Sequence, residues 1–478
     1  MVRDFVKWDD LPISLPHFAE SAVRAYKIAM TPPMMPVLIV SDSDLQERPV
    51  EKDARLHIPK LALAAPPQGD SGSVAEAARL LVAAENPVLI ADRLARTPAG
   101  MAHLIELAGA LQAPVIDQTN RMNFPTRHPL NRTERSREMI GNADLILGLE
   151  LTDFCGTVDA FKDQLYRSSR SITKPGTKLV SISSEDLYAK GNYQDIQRYQ
   201  ELDLAMAADA EATLPSLIAA VKRLINDDRK RALQDRGSKF ANAHQKALER
   251  ARADAAYGWD ASPITTARLC AELWAQIKNE DWSLVSDVGF MSRWPLRLWT
   301  FDKHYQYIGG AGGAGEGYGA PSAVGAALAN RKYGRFSVSM QRDGDLMYGP
   351  GVLWMLAHHQ VPLLSVMHNN RAYHQELCTC NAWPTATSAA SPAPVSAPPS
   401  IAPTSITPSW RKAWEFTAKD RLRIRESWAG LLSGPSLLSR AASQRSLTWL
   451  PSLASEAASD AGGWLRLWSQ RTFLVQGF

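Results

Sequence analysis

The residues of this chain whose types and spacing could do chemistry lie between Gln341 and Glu376. A polar turn, Arg342-Asp343-Gly344-Asp345, is followed 27 positions after Asp343 by Asn370, the second residue of an Asn369-Asn370 pair. By itself Asp-Gly-Asp describes any polar turn. Its setting adds more. The run 336–340, FSVSM, reads as a strand, 352–359 as a helix and 361–367 as a second buried strand. A strand-turn-helix-strand unit brings the carboxyl ends of two parallel strands side by side, so Asp343 and Asn370 are expected to face one cation. One carboxylate, one amide oxygen and a nearby backbone carbonyl are hard ligands that suit Mg²⁺, which completes its octahedron with waters and phosphate oxygens. The stretch reads as a metal-diphosphate site.

A glycine-rich run at 308–330, IGGAGGAGEGYGAPSAVGAALAN, precedes it. Gly310, Gly312 and Gly315 spell G-x-G-x-x-G. A dinucleotide fingerprint also needs an acidic residue for the ribose at the end of the following strand, whereas that strand here runs into the Arg342 turn. A nicotinamide oxidoreductase is therefore kept only as a competing reading.

At these residues the chain resembles the thiamine diphosphate (ThDP) enzymes of the acetolactate synthase and benzoylformate decarboxylase group, whose signature is Gly-Asp-Gly followed by Asn-Asn. Carried over by position, the resemblance makes Asp343, the Asn370 side chain and the Ala372 carbonyl the Mg²⁺ ligands. It places Gly313, Gly315, Glu316, Gly317 and Tyr318 in the glycine segment that passes under the cofactor rings. Gly344, Asp345, Leu346 and Asn370 become its contacts around the diphosphate. Two positions depart from the pattern. Arg342 stands where the group has its first Gly, and Glu316 stands where it keeps a bulky apolar side chain. A carboxylate beneath an aromatic ring costs several kcal/mol unless it is protonated or paired, so Glu316→Leu is expected to strengthen cofactor binding. His358, His359, His368 and His374 gather near this end, and none is assigned a catalytic role.

The elements that must position this site read as an α/β fold: two doubly wound parallel-sheet domains and a disordered or aberrant C-terminal tail. Residues 1–202 form the first domain, with apolar runs at 36–40, 87–91, 113–116, 145–149 and 179–182 and helical patterns at 74–84 and 100–111. In order and length it resembles the central domain of the same group, which carries FAD in some members; no residue supports FAD here. Asp92, Asp117 and Asp153 each follow a strand and are expected to be turn or cap residues rather than ligands. Residues 203–262 read as a solvated, charged pair of connecting helices. Residues 263–377 form an incomplete diphosphate-binding domain, and 378–478 the tail.

The chain of 478 residues has a net charge of +4, but residues 378–478 hold ten basic and five acidic residues, more than the whole excess. The folded part is therefore close to neutral, which argues against a nucleic-acid partner. No stretch approaches the length of a membrane span or resembles a signal peptide, so a cytoplasmic protein is expected. Cys155, Cys270, Cys378 and Cys380 have neither disulfide nor zinc spacing and read as buried or incidental thiols. The tail is rich in Ala, Ser, Pro and Thr at first, then in Trp, and lacks Tyr. Read in a shifted frame, the codons after Leu377 spell an amphipathic helical pattern, so a frameshift after about Glu376 is expected. The alternative is a genuine Pro/Ser linker with a short Trp-rich end.

By resemblance the chain is a ThDP- and Mg²⁺-dependent enzyme of 2-keto acid chemistry, a decarboxylase or an acetolactate synthase-like carboligase, forming a homodimer or homotetramer. The group's catalytic Glu sits on a pyrimidine-binding domain ahead of the central domain. Met1 opens directly onto the central domain, so this chain is expected to be truncated and inactive alone unless a separate chain supplies that domain. A non-catalytic remnant is the competing class.

Overall fold

The computed structural model describes residues 3–50, 55–159, 170–188, 199–286, 289–291, 293–310, 317–370, 373 and 473–477. The chain divides into two compact units, one formed mainly by residues 1–248 and the other mainly by residues 249–478.

The first unit begins with a small βαβ piece. Strand β1 (Trp8–Asp10), helix α1 (Leu15–Met30) and strand β2 (Val37–Ile39) form a two-stranded parallel sheet of their own. Pro36–Val40, expected within the large sheet, therefore pairs with β1 instead. A short helix α2 (Ser43–Glu47) follows. Then come α3 (Ser71–Ala83), β3 (Pro87–Ala91), α4 (Pro98–Leu111), β4 (Val115–Asp117), α5 (Ser136–Asn142), β5 (Leu145–Leu149), α6 (Phe154–Thr157), β6 (Lys178–Ser183), β7 (Leu204–Ala207) and α7 (Ala210–Leu224). The five strands pair in parallel in the order β4-β3-β5-β6-β7. One core packs α3, α4 and α7 on one face of the sheet, and a second packs residues of α5 and α6 on the other. Such two-sided burial is why β3 and β5 are apolar throughout.

The boundary expected at residue 203 is corrected by β7 and α7. Leu204–Ala207 pairs with β6, and α7 buries Leu214, Leu217, Ile218 and Val221. Those residues recur at i, i+3, i+4 and i+7, the spacing of a helix face that belongs to a core. Helix α8 (Asp227–Ala256) is charged, but its first half is also tied down. Its Arg236 donates to the carbonyls of Ala84 (3.4 Å), Glu85 (2.5 Å), Leu111 (2.5 Å) and Gln112 (3.1 Å), and Arg229 donates to Ala84. One guanidinium thus satisfies the open C-terminal ends of both α3 and α4, where the helix dipoles are negative. Gly237 lies so close to the side chain of Gln112 that a Cβ would collide with it.

The second unit contains α9 (Thr266–Ile277), β8 (Trp282–Leu284), α10 (Trp294–Leu298), α11 (Gly319–Arg331), β9 (Phe336–Arg342), α12 (Asp343–Leu346), α13 (Val352–His358), β10 (Leu363–His368) and β11 (Phe473–Gly477). The sheet order is β11-β10-β9-β8, all parallel. Strand β11 comes from the end of the tail, which was expected to be disordered or aberrant; the rest of the tail and the frameshift expectation lie outside the described residues. Trp282 and Trp299 are fully buried, their rings 5.5 Å apart edge to face, and the Trp299 indole N–H donates to Cys270 O at 2.8 Å.

Candidate functional site

Strand β9 ends at Arg342, which lies opposite His368, the last residue of β10, in the parallel register. Asp343 and the Asn369-Asn370 pair therefore leave the sheet from adjacent strand ends, where neighbouring strands lie about 4.8 Å apart. The expected juxtaposition is present. Between them sits His368, whose Nε2 lies 3.1 Å from Thr266 Oγ1 at the start of α9. Burial lowers the His368 pKa, and the Asp343 carboxylate acts in the opposite direction, so that carboxylate lies near the ring. Gly344 is covered by Tyr373: a Cβ at 344 would stand 2.8 Å from the ring, and the Tyr373 hydroxyl donates to Gly344 O at 3.4 Å. Ala372, Gly313, Gly315, Glu316 and His374 lie outside the described residues.

Two expected cofactor contacts have other work. Leu346, 3% exposed, packs against Ala320 and Met367 in a core cluster, so it supports the turn from below. Asp345, also 3% exposed, accepts the Gly317 N–H at 2.5 Å through Oδ1 and the Gln341 side-chain amide at 2.6 Å through Oδ2. Arg342, where the family signature has Gly, brings its guanidinium to 4.0 Å from Asp345. Gln341 is buried and its Oε1 has no partner. Gly317 has φ +86°, and a Cβ there would stand 2.7 Å from Tyr348 Cβ, so this position requires glycine. Tyr318, 39% exposed, precedes α11 without capping it through its side chain. Sequence reasoning missed Gln341, Thr266 and Tyr373, since a role set by contacts across the fold leaves no local pattern.

At the carboxyl edge of the first unit, the three flagged aspartates are hydrogen-bonding residues. Asp153 caps α6 by accepting the Gly156 N–H at 2.8 Å, and Asp92 accepts from Asn120 (2.7 Å) and the Thr152 hydroxyl (2.8 Å). Asp117 accepts the backbone N–H groups of Thr119, Asn123 and Phe124 at 2.8, 2.9 and 3.1 Å and the Asn123 amide at 2.9 Å. Burial nevertheless pushes its pKa up to about 6. Beside them Arg96 pairs with buried Asp209, and Arg121 has its pKa lowered by burial and by Arg96 and Arg93. This edge, where acidic and basic side chains mix, lies where the strand order reverses between β3 and β5, the usual ligand crevice of an open α/β sheet.

Among the described residues no three His, Cys, Asp or Glu side chains cluster as a metal site. The expected Mg²⁺ set would not form one, having a single carboxylate beside amide and carbonyl oxygens. Asp343 and Asn370 at adjacent strand ends offer oxygen ligands of the kind a small hard cation takes. The fold is thus that of an α/β protein with two parallel sheets of four and five strands.

Residues 74–217 match the model of the thiamine pyrophosphate enzyme central domain, and residues 287–399 that of the C-terminal TPP binding domain, together more than half of the chain. The chain is 22% identical over 384 residues to the probable acetolactate synthase 2, chloroplastic, of Oryza sativa subsp. japonica, covering 77% of this chain and 53% of that one. It is 24% identical over 352 residues to the acetolactate synthase isozyme 1 large subunit of Escherichia coli K12, covering 73% and 57%. This chain thus spans little more than half the length of these relatives. Among solved structures, benzoylformate decarboxylase from Polynucleobacter necessarius superposes with a TM-score of 0.61 at 16% identity, covering 100% of this chain and 76% of that one. A thiamin diphosphate-dependent enzyme from Mycobacterium smegmatis gives 0.55 at 21%, covering 78% and 67%. The chain belongs to the ThDP-dependent enzymes of the acetolactate synthase and benzoylformate decarboxylase group.

Proposed function

We infer that the second unit holds ThDP through Mg²⁺ at the Asp343–Asn370 edge and serves 2-keto acid chemistry, as a decarboxylase or a carboligase. The observation that carries this reading is the register of β9 and β10, which sets Asp343 beside Asn369-Asn370. Asp343 would hold the cation through its carboxylate and Asn370 through its amide oxygen, and the cation would supply positive charge for a diphosphate. Gly317 and Gly344 let the backbone pack directly against Tyr348 and Tyr373, which keeps the turn and the segment before α11 compact beside the proposed site. Bound there, ThDP supplies the electron sink that loss of CO₂ from a 2-keto acid requires. The His368 ring, its pKa lowered by burial, stays neutral at pH 7 and adds no charge beside the cation.

Thermal unfolding of the full chain tests the reading. ThDP with Mg²⁺ should raise the transition temperature, whereas ThDP with EDTA, or NAD alone, should not. A shift with NAD alone would favour the nicotinamide reading, and no shift with any of the three would sink the cofactor site. Catalysis is read separately, as CO₂ release from pyruvate and benzoylformate with saturating cofactor. The same assay with an added pyrimidine-domain chain asks whether activity depends on a partner, and light scattering asks whether the chain forms the expected dimer or tetramer.

A further inference from the structure

The two arms of the proposed cofactor site are joined by a direct contact. Asp345 lies on α12, two residues after Asp343, yet its carboxylate reaches the backbone N–H of Gly317, 28 positions earlier, at 2.5 Å. Its other oxygen is held by the Gln341 amide at 2.6 Å, from the strand that leads into the turn. Asp345 and Gln341 are 3% and 2% exposed, and the Arg342 guanidinium approaches to 4.0 Å from the more open side. A carboxylate buried with neutral donors keeps its place only if each donor does, so displacing Gly317 would strand a buried charge. Gly319 is glycine for a related reason: a Cβ there would collide with the Asp345 carboxylate and stand 3.0 Å from Gln341 Oε1.

We propose that Asp345, oriented by Gln341, is a positioning residue that latches the glycine segment to the metal turn, so that a cation held at Asp343 also sets the glycine arm at Gly317. This rests on the cofactor site proposed above and adds a coupling between its parts. A ligand that engages only the metal turn needs no latch. A ligand that spans both arms needs it, and by reciprocity the two arms then favour one another's binding.

The test compares two ligands on the full chain. Inorganic diphosphate with Mn²⁺, followed by electron paramagnetic resonance, probes the metal turn alone; ThDP with Mg²⁺, followed by calorimetry, probes both arms. In Asp345→Leu, ThDP affinity should fall by about tenfold or more while Mn²⁺-diphosphate affinity stays within about threefold. Gln341→Glu should behave likewise, since two carboxylates would then face each other. Asp345→Asn should recover ThDP affinity to within about threefold, because its amide oxygen can still accept the Gly317 N–H and Gln341 can turn its amide to match. Equal loss of both ligands in Asp345→Leu, no loss of either, or an Asn variant as weak as the Leu variant would overturn the latch. A wild-type chain that binds Mn²⁺-diphosphate and ThDP normally while the variants fail to separate them refutes the latch alone. A wild-type chain that binds neither refutes the site and the latch together.

Discussion

At the scale of single residues, two carboxylates show how differently the fold uses the same group. Asp343 stands directly after the end of β9 and, on the cofactor reading proposed above, Asp343→Ala or Asn370→Ala should each weaken Mg²⁺-dependent ThDP binding by at least about a hundredfold, since each would remove a proposed ligand from the cation. Calorimetry giving wild-type affinity in both variants would remove the site. Asp117 instead sits in the first unit among four N–H donors, with its pKa raised to about 6 by burial. A folded pKa above the ordinary 3.8 means that the folded state holds the proton more tightly. That contribution is therefore complete below about pH 4 and is lost as pH rises through about 6, amounting to about 3 kcal/mol in all. Asp117→Asn should flatten this slope in urea denaturation measured from pH 4.5 to 7. At neutral pH it should also cost about 1–3 kcal/mol, because an amide nitrogen would then face N–H donors. The adjacency of the strand ends that carry Asp343 and Asn370 was legible in the sequence, because it follows from strand and turn spacing. Asp345 was visible only as part of a motif, since its partner Gly317 is distant in sequence and the contact is set by tertiary packing.

At the scale of elements, the strands that are buried on both faces were legible as unbroken apolar runs, and β3 and β5 fall where those runs lie. Strand β7 was not legible: Leu-Ala-Met-Ala at a sheet edge, with only Met206 buried, is too short and too mixed to set a period. Helix α7 was legible as a helix, but its place in the first core was concealed by the charge of α8, which follows it at once. The charge on α8 itself hides a structural part, because Arg236 spends its hydrogen bonds on the ends of α3 and α4 while burial lowers its pKa to about 10. Arg236→Ala should leave those carbonyls unsatisfied and cost about 2–4 kcal/mol by urea denaturation. Arg236→Lys should recover less than half of that, since a single ammonium cannot reach the ends of two helices. Equal stability of wild type and Arg236→Ala would mean that water replaces the guanidinium without loss.

At the scale of the whole molecule, each of the two units has its own parallel sheet and its own buried core. Among the described residues no helix is long and apolar enough to cross a membrane. Among the described residues one buried cysteine thiol falls in each unit, Cys155 in the first and Cys270 in the second. Burial pushes the Cys270 thiol up to about 12, so almost none of it is thiolate at pH 8 and alkylation must wait for the surrounding core to open. Pulse alkylation with peptide mapping would then time the opening of each unit within one sample. ThDP with Mg²⁺ is expected to slow the modification of Cys270 by about tenfold or more and to leave that of Cys155 within about twofold. Equal slowing of both would show that the units open together. Resolved by peptide mapping, Cys155 and Cys270 are thus native clocks for the cores that bury them, and they need no engineered probe.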